Sequence, residues 1–239
     1  SRIQACRDSI EHYIHCKDKR FLTSLKPLTV ESTAPAVVVA MAREARKAGV
    51  GPMAAVAGAI AQYLGKALLR WGCRDVIVEN GGDIFLKVTR PVSVGVYAGD
   101  SPLSGRVRLR IDPAHTPAGV CASSGTVGHS LSFGEADAAI VICRSAVLAD
   151  AVATASANRV HTAEDLGPAI TFARRIRGVR GVLLVKNDRL AAWGEIRFEE
   201  CKNNYKKNRI SRREKILDKN CQYDKKYTVR RLRGTLRRE

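Results

Sequence analysis

Asp150 and Thr154 lie four residues apart in the run Leu148-Ala149-Asp150-Ala151-Val152-Ala153-Thr154-Ala155. In a helix that spacing puts a carboxylate and a hydroxyl on one face, one turn apart. Both are hard oxygen donors of the kind Mg²⁺ takes. Upstream stands a turn of small residues, Ser123-Ser124-Gly125-Thr126-Val127-Gly128-His129. Its backbone N–H groups have little side chain in front of them, which suits a phosphate or pyrophosphate. Between turn and helix, Ala138–Cys143 is uniformly apolar and reads as a buried strand. The combination describes a metal-assisted phosphate site.

Three further places offer chemistry. Asn80-Gly81-Gly82-Asp83 separates the apolar runs Val76-Ile77-Val78-Glu79 and Ile84-Phe85-Leu86-Lys87-Val88. It reads as a hairpin turn with Glu79, Asn80 and Asp83 in solvent. Alternatively, Gly81 and Gly82 admit a ligand to the backbone while Asn80 or Asp83 supplies a polar contact. Gly58 sits inside a helical stretch of small apolar residues. Glycine there costs about 1 kcal/mol relative to alanine, so its face must meet something closely, either another helix or a ligand. His12 and Cys16 lie four apart with His15 beside them, but further ligands are missing and a plain helix face accounts for them.

These residues need elements to hold them. Ile3, Cys6, Ile10, Tyr13 and Ile14 recur with a helical period. A second helix covers 34–48 and stops at Gly49; a third starts at Pro52 and runs to Trp71. Strands are expected at 76–79, 84–88, 92–97 and 106–111, the last alternating Arg106, Arg108 and Arg110 with apolar residues. After the Asp150 helix come a helix at 163–176, ending in Arg174-Arg175, and a hairpin around Asn187-Asp188. The pattern closes near Phe198.

Composition sets the limits. The 239 residues are 45% hydrophobic but only 5% aromatic, so the core rests on Val, Ile, Leu and Ala. The net charge of +18 is unevenly spread, with 15 basic and 4 acidic residues in 201–239. That tail lacks an apolar face and reads as disordered, able to bind nucleic acid or an anionic surface weakly and without specificity. Seven cysteines without a C-x-x-C pair indicate reduced, cytoplasmic usage rather than a disulfide framework. No charge-free apolar run reaches the ~20 residues that a membrane span needs. The chain opens with Ser in mid-pattern, as a trimmed fragment would.

The stretches VGPMAAVAGAIAQYLGKALL, VENGGDIFL, ASSGTVGHSLSFGEADAA, LADAVATASANRV and VRGVLLVKNDRLAAWGEI resemble the ApbE-like flavin transferase superfamily, and within it the compact bacterial and archaeal branch. The resemblance implies an α+β domain over 1–200 of T-fold-like type, with a mostly antiparallel sheet packed against long helices and N-terminal strands missing. It implies a Mg²⁺-dependent protein acting at the pyrophosphate of FAD, as an FMN transferase to a protein threonine or serine or as a pyrophosphatase. The alternative is a non-catalytic binder of flavin or another phosphorylated ligand on the same scaffold. The resemblance implies Asp150 and Thr154 as metal ligands and His129 as general base. It assigns the flavin site to Asn80, Gly81, Gly82, Asp83, Ser123, Ser124, Gly125, Thr126 and Gly58. Two departures stand out: Ala57 occupies a position where the transferases carry lysine, and 130–134 replaces an Asp-Pro segment.

Overall fold

The computed structural model describes residues 2–126 and 133–199, and the backbone of 228–230. Seven strands form one antiparallel sheet in the order β8-β7-β6-β5-β2-β1-β9. They are β1 (Val76–Asn80), β2 (Asp83–Lys87), β5 (Ala118–Ser123), β6 (Ala138–Cys143), β7 (Val179–Lys186), β8 (Arg189–Gly194) and β9 (Thr228–Arg230). A separate ribbon pairs β3 (Val92–Gly95) with β4 (Arg108–Ile111). The expected α+β architecture is the one observed.

One sheet face carries α1 (Arg2–Cys16), the short α2 (Arg20–Thr23), α3 (Ala36–Ala48), α4 (Val56–Arg70), α5 (Ala146–Ala157) and α6 (Leu166–Arg174). The ribbon covers the other face, where Val96, Leu109 and Ile111 pack on Leu86, Val120 and Leu183. The interior strand β6 is therefore buried at all six positions, which is why it reads as an unbroken apolar run.

Helix α5 is the hub. It packs on β5, β6, α3 and α4 and is buried on nearly all sides. Small residues make this possible. A Cβ on Gly119 of β5 would stand 2.3 Å from the Ala146 Cα, and one on Gly58 of α4 would stand 2.3 Å from the Ala146 carbonyl oxygen. Gly65 leaves room for the Phe85 ring in the same manner. With few aromatics available, the core gains density by bringing backbones close.

A 3-10 turn at Pro52–Ala55 precedes α4. Together, Pro52–Arg70 is apolar and long enough to cross a membrane by composition, yet 56% of its most apolar stretch is buried inside the protein. It packs on β1, β2 and α5, as a core helix does. At the far edge, β9 pairs antiparallel with β1, Val229 opposite Val78.

Candidate functional site

Asp83 opens β2 directly after the Gly81-Gly82 turn, whose φ values of 64° and 101° favour glycine. The turn is closed by Glu79, whose Oε1 accepts the Gly82 N–H at 2.8 Å. Asn80 Nδ2 donates to the Ala57 carbonyl at 3.2 Å, fastening the hairpin to the start of α4. The hairpin reading was right about the backbone and wrong about the solvent. Asp83 is 6% exposed and points into the protein.

Asp150 lies in the second turn of α5, also buried. Its Oδ2 accepts the Gly58 N–H at 2.8 Å, and the Ala57 N–H bears on the same carboxylate. These N–H groups belong to the first turn of α4, where a helix leaves its donors without internal partners. Asp150 therefore caps α4 from a neighbouring helix. The tight approach of α5 accounts for Gly58 without a ligand.

Burial pushes the Asp150 carboxyl up to about 7, against the pull of the two N–H groups. Burial also holds Asp83 well above the usual carboxylate range; the Asp150 charge adds to this, and the Cys121 thiol and Ala122 N–H oppose it. The Cys121 thiol is itself raised by burial and by both carboxylates, and its Sγ donates to the Ala146 carbonyl at 3.3 Å. Asp83 Oδ1 has no hydrogen-bond partner among the described residues. Two carboxyl groups share a buried space in which their charges oppose each other, so the pair needs a proton or a cation.

The donor set fits a hard cation. Two carboxylates, one with an open oxygen, face the same interior, and the half-buried Thr154 lies one turn along α5 from Asp150. Among the described residues no group of three or more His, Cys, Asp or Glu side chains is arranged to hold a metal. Mg²⁺ does not require one, since it is commonly bound by one or two carboxylates with water and substrate oxygens.

The serine-glycine turn leaves the sheet beside this cluster. Pairing of Ile84 with Val120 brings the β5 end, Ala122 and Ser123, next to the Gly82-Asp83 turn. The turn's N–H groups are less available than the sequence implies. Gly125 N–H donates to the Ala136 carbonyl at 2.8 Å, and Thr126 N–H donates to Ser124 Oγ at 3.0 Å. Thr126 Oγ1 reaches Asp137 Oδ1 at 3.3 Å. Gly125 is needed for chain crossing, because a Cβ would stand 1.8 Å from the Gly134 carbonyl oxygen. His129 lies outside the described residues, as do its neighbours in 127–132.

Sequence reasoning missed Cys121, Glu79 and the capping role of Asp150. Cys121 reads as a small hydrophobe, and only the β2–β5 register brings it to Asp83. On α1, Cys16 Sγ lies 3.7 Å from His12 Nδ1 on the exposed face, as a plain helix face allows.

Residues 1–176 match the family model described as "AbpE bacteria". The chain belongs to that family. Curated relatives include a UPF0280 protein of Methanococcus aeolicus, 44% identical over 194 residues, covering 80% of this chain and 78% of the relative. The UPF0280 protein MJ1526 of Methanocaldococcus jannaschii is 44% identical over 195 residues, with coverage of 80% and 78%. Among solved structures, the apo flavinyl transferase ApbE of Pseudomonas stutzeri is 16% identical with a TM-score of 0.43, over 61% of this chain and 48% of that one. The flavin transferase ApbE of Vibrio cholerae is 14% identical with a TM-score of 0.43, over 78% and 73%. These structural likenesses are too distant to assign a site.

Proposed function

We propose that the Asp83–Asp150 cluster, with Thr154, holds a divalent cation and that the chain acts with it on the pyrophosphate of a flavin dinucleotide. The observation that carries this reading is the unpartnered, buried Asp83 Oδ1 beside a second buried carboxylate. Membership of the AbpE bacteria family and the resemblance of the sequence motifs to flavin transferases support the choice of flavin.

A bound Mg²⁺ supplies neutralisation of pyrophosphate charge. The chain's own residues do the rest. Asp150 keeps α4 and α5 in register through the Gly58 N–H, and Asn80 ties the Gly81-Gly82 turn to the same helix start. The left-handed glycines let a ligand approach backbone beside Asp83. In transfer, an acceptor threonine or serine oxygen forms a bond to the FMN-side phosphorus while the bond to the AMP-side oxygen breaks. The hydroxyl proton goes to a base, for which His129 is the candidate. With water in place of the acceptor the products are FMN and AMP.

The engagement of the Gly125 and Thr126 N–H groups within the protein favours a second reading, binding without turnover. Isothermal titration with FAD, with and without Mg²⁺, followed by chromatography of the same sample separates the two. Mg²⁺-dependent binding with AMP released, lost in Asp150→Ala, supports transfer or hydrolysis. Binding with FAD intact supports the second reading. Folded protein that binds no flavin overturns both.

A further inference from the structure

A groove of about 760 Å³ lies away from the carboxylate cluster and shares no residue with it. Its floor is Pro168, Phe172 and Ile176, spaced four apart along α6 and the turn that follows. Its rim is Lys47, at the end of α3, with Arg175 and Arg177. An apolar stripe of helical spacing is usually buried, but here Pro168 is exposed and Phe172 and Ile176 are only half-buried.

The arginine charge of the rim is not compensated by an ion pair among the described residues. Among the described residues no acidic side chain lines the groove. Lys47 is itself paired with the buried Glu44, which also takes Arg43, so the open charge belongs to the arginines. Arg174, Arg175 and Arg177 are exposed and make no ion pair among the described residues. Phe172 is held from the other side by the Arg159 guanidinium, 3.5 Å from the ring centroid, so its orientation is fixed.

We propose that this groove docks an acidic segment of a partner protein, its apolar side chains seated on Pro168, Phe172 and Ile176 and its carboxylates on the arginines. The elongated floor matches a peptide laid along a helix better than a compact small molecule. Guanidinium groups pair with carboxylates in a two-point geometry, which makes the arginine rim selective as well as attractive. The segment 201–239, with 15 basic and 4 acidic residues, does not complement the arginine rim in charge.

The test uses the full chain and a fluorescein-labelled peptide, Glu-Glu-Leu-Glu-Glu-Phe-Glu-Glu, read by anisotropy at physiological salt. The double variant Arg175→Glu/Arg177→Glu alters only exposed side chains. It is expected to weaken binding about ten-fold or more, in the range of lost interface charge pairs. The tail variant Lys206→Glu/Lys207→Glu is expected to change it less than about two-fold. An all-glutamate peptide of the same length is expected to bind more weakly than the probe. Absence of peptide binding overturns the proposal, as does binding that follows the tail variant alone. Tighter retention of oligo-dT or of phosphatidylserine vesicles through the same two arginines would assign the groove to nucleic acid or membrane instead.

Discussion

The Asp150 carboxylate accepts the Gly58 N–H at 2.8 Å, across 92 residues of sequence and between two helices. One side chain thereby serves two ends. It satisfies a donor that the start of α4 leaves open, and it presents a buried charge beside Asp83. The first role needs only an acceptor oxygen. The second needs an ionised one, and burial opposes that ionisation.

The conflict predicts the pH dependence of stability. Asp150, raised to about 7, holds its proton more tightly when folded than when unfolded. An unfolded carboxyl loses its proton near pH 4, at about the ordinary value. Stability contributed by the neutral form is complete below that pH and is lost as pH rises through about 7. Melting temperature measured from pH 4 to 8 without divalent ions should therefore fall across this window. Asp150→Asn retains an oxygen for the Gly58 N–H and cannot ionise, so its profile should be flatter and its melting temperature at pH 8 higher than that of the parent. An unchanged slope would show that Asp150 is not the titrating group.

Gly58→Ala separates packing from propensity. Alanine is the better helix former by about 1 kcal/mol. In this position its Cβ would stand 2.3 Å from the Ala146 carbonyl oxygen and 2.8 Å from the Asp150 Cβ. Both neighbours belong to the core helix α5, which cannot yield easily. A net loss of about 2 kcal/mol is expected from chemical denaturation. A gain would mean that α4 and α5 are less closely packed than described.

Much of this was legible beforehand, for reasons that differ by element. The Ala138–Cys143 strand is covered on both faces, so its uniform apolarity marks it unambiguously. Helices α3 and α4 announce their ends through Gly49 and Pro52, where backbone geometry restricts the residue choice. The site was less legible. Asp83 follows a Gly-Gly turn and resembles any solvated turn residue; its burial arises from α4, with α5 beside it, packing on the hairpin, a tertiary fact. Glu79 likewise acts on an N–H three residues away that only the folded turn orients. The turn after Ser123 was overvalued, since loop sequence does not reveal that Ala136 returns to accept the Gly125 N–H.

Cysteine reactivity should divide along burial. The Cys121 and Cys143 thiols are buried, the first pushed well above its ordinary value and the second up to about 12, in each case chiefly by burial. Cys16 is exposed on α1. Thiolate is the reactive form, so brief iodoacetamide treatment at pH 8 should label Cys16 and leave Cys121 and Cys143 unmodified until denaturant is added. Peptide-level mass spectrometry reads this directly. Labelling of Cys121 in the folded protein would mean that the carboxylate cluster is open to reagents of that size.

The last prediction concerns the cation itself and needs no flavin. If Asp83 and Asp150 hold a divalent ion, its charge offsets the burial that raises both carboxyls and the Asp150 charge that adds to it at Asp83. Mg²⁺ should then raise the melting temperature at pH 8, where loss of those protons costs most. At about a hundredfold excess over Kd the gain is about 2.7 kcal/mol, or about 5–10 °C for a domain of this size. The gain should shrink towards pH 5, because protons compete for the same oxygens. Asp83→Asn removes one anionic ligand while leaving the Asp150 bond to Gly58 in place, and it should abolish the Mg²⁺ response without unfolding the protein. A shift that persists in Asp83→Asn, or one independent of pH, would place the ion elsewhere and leave the carboxylate pair as a structural cap on α4.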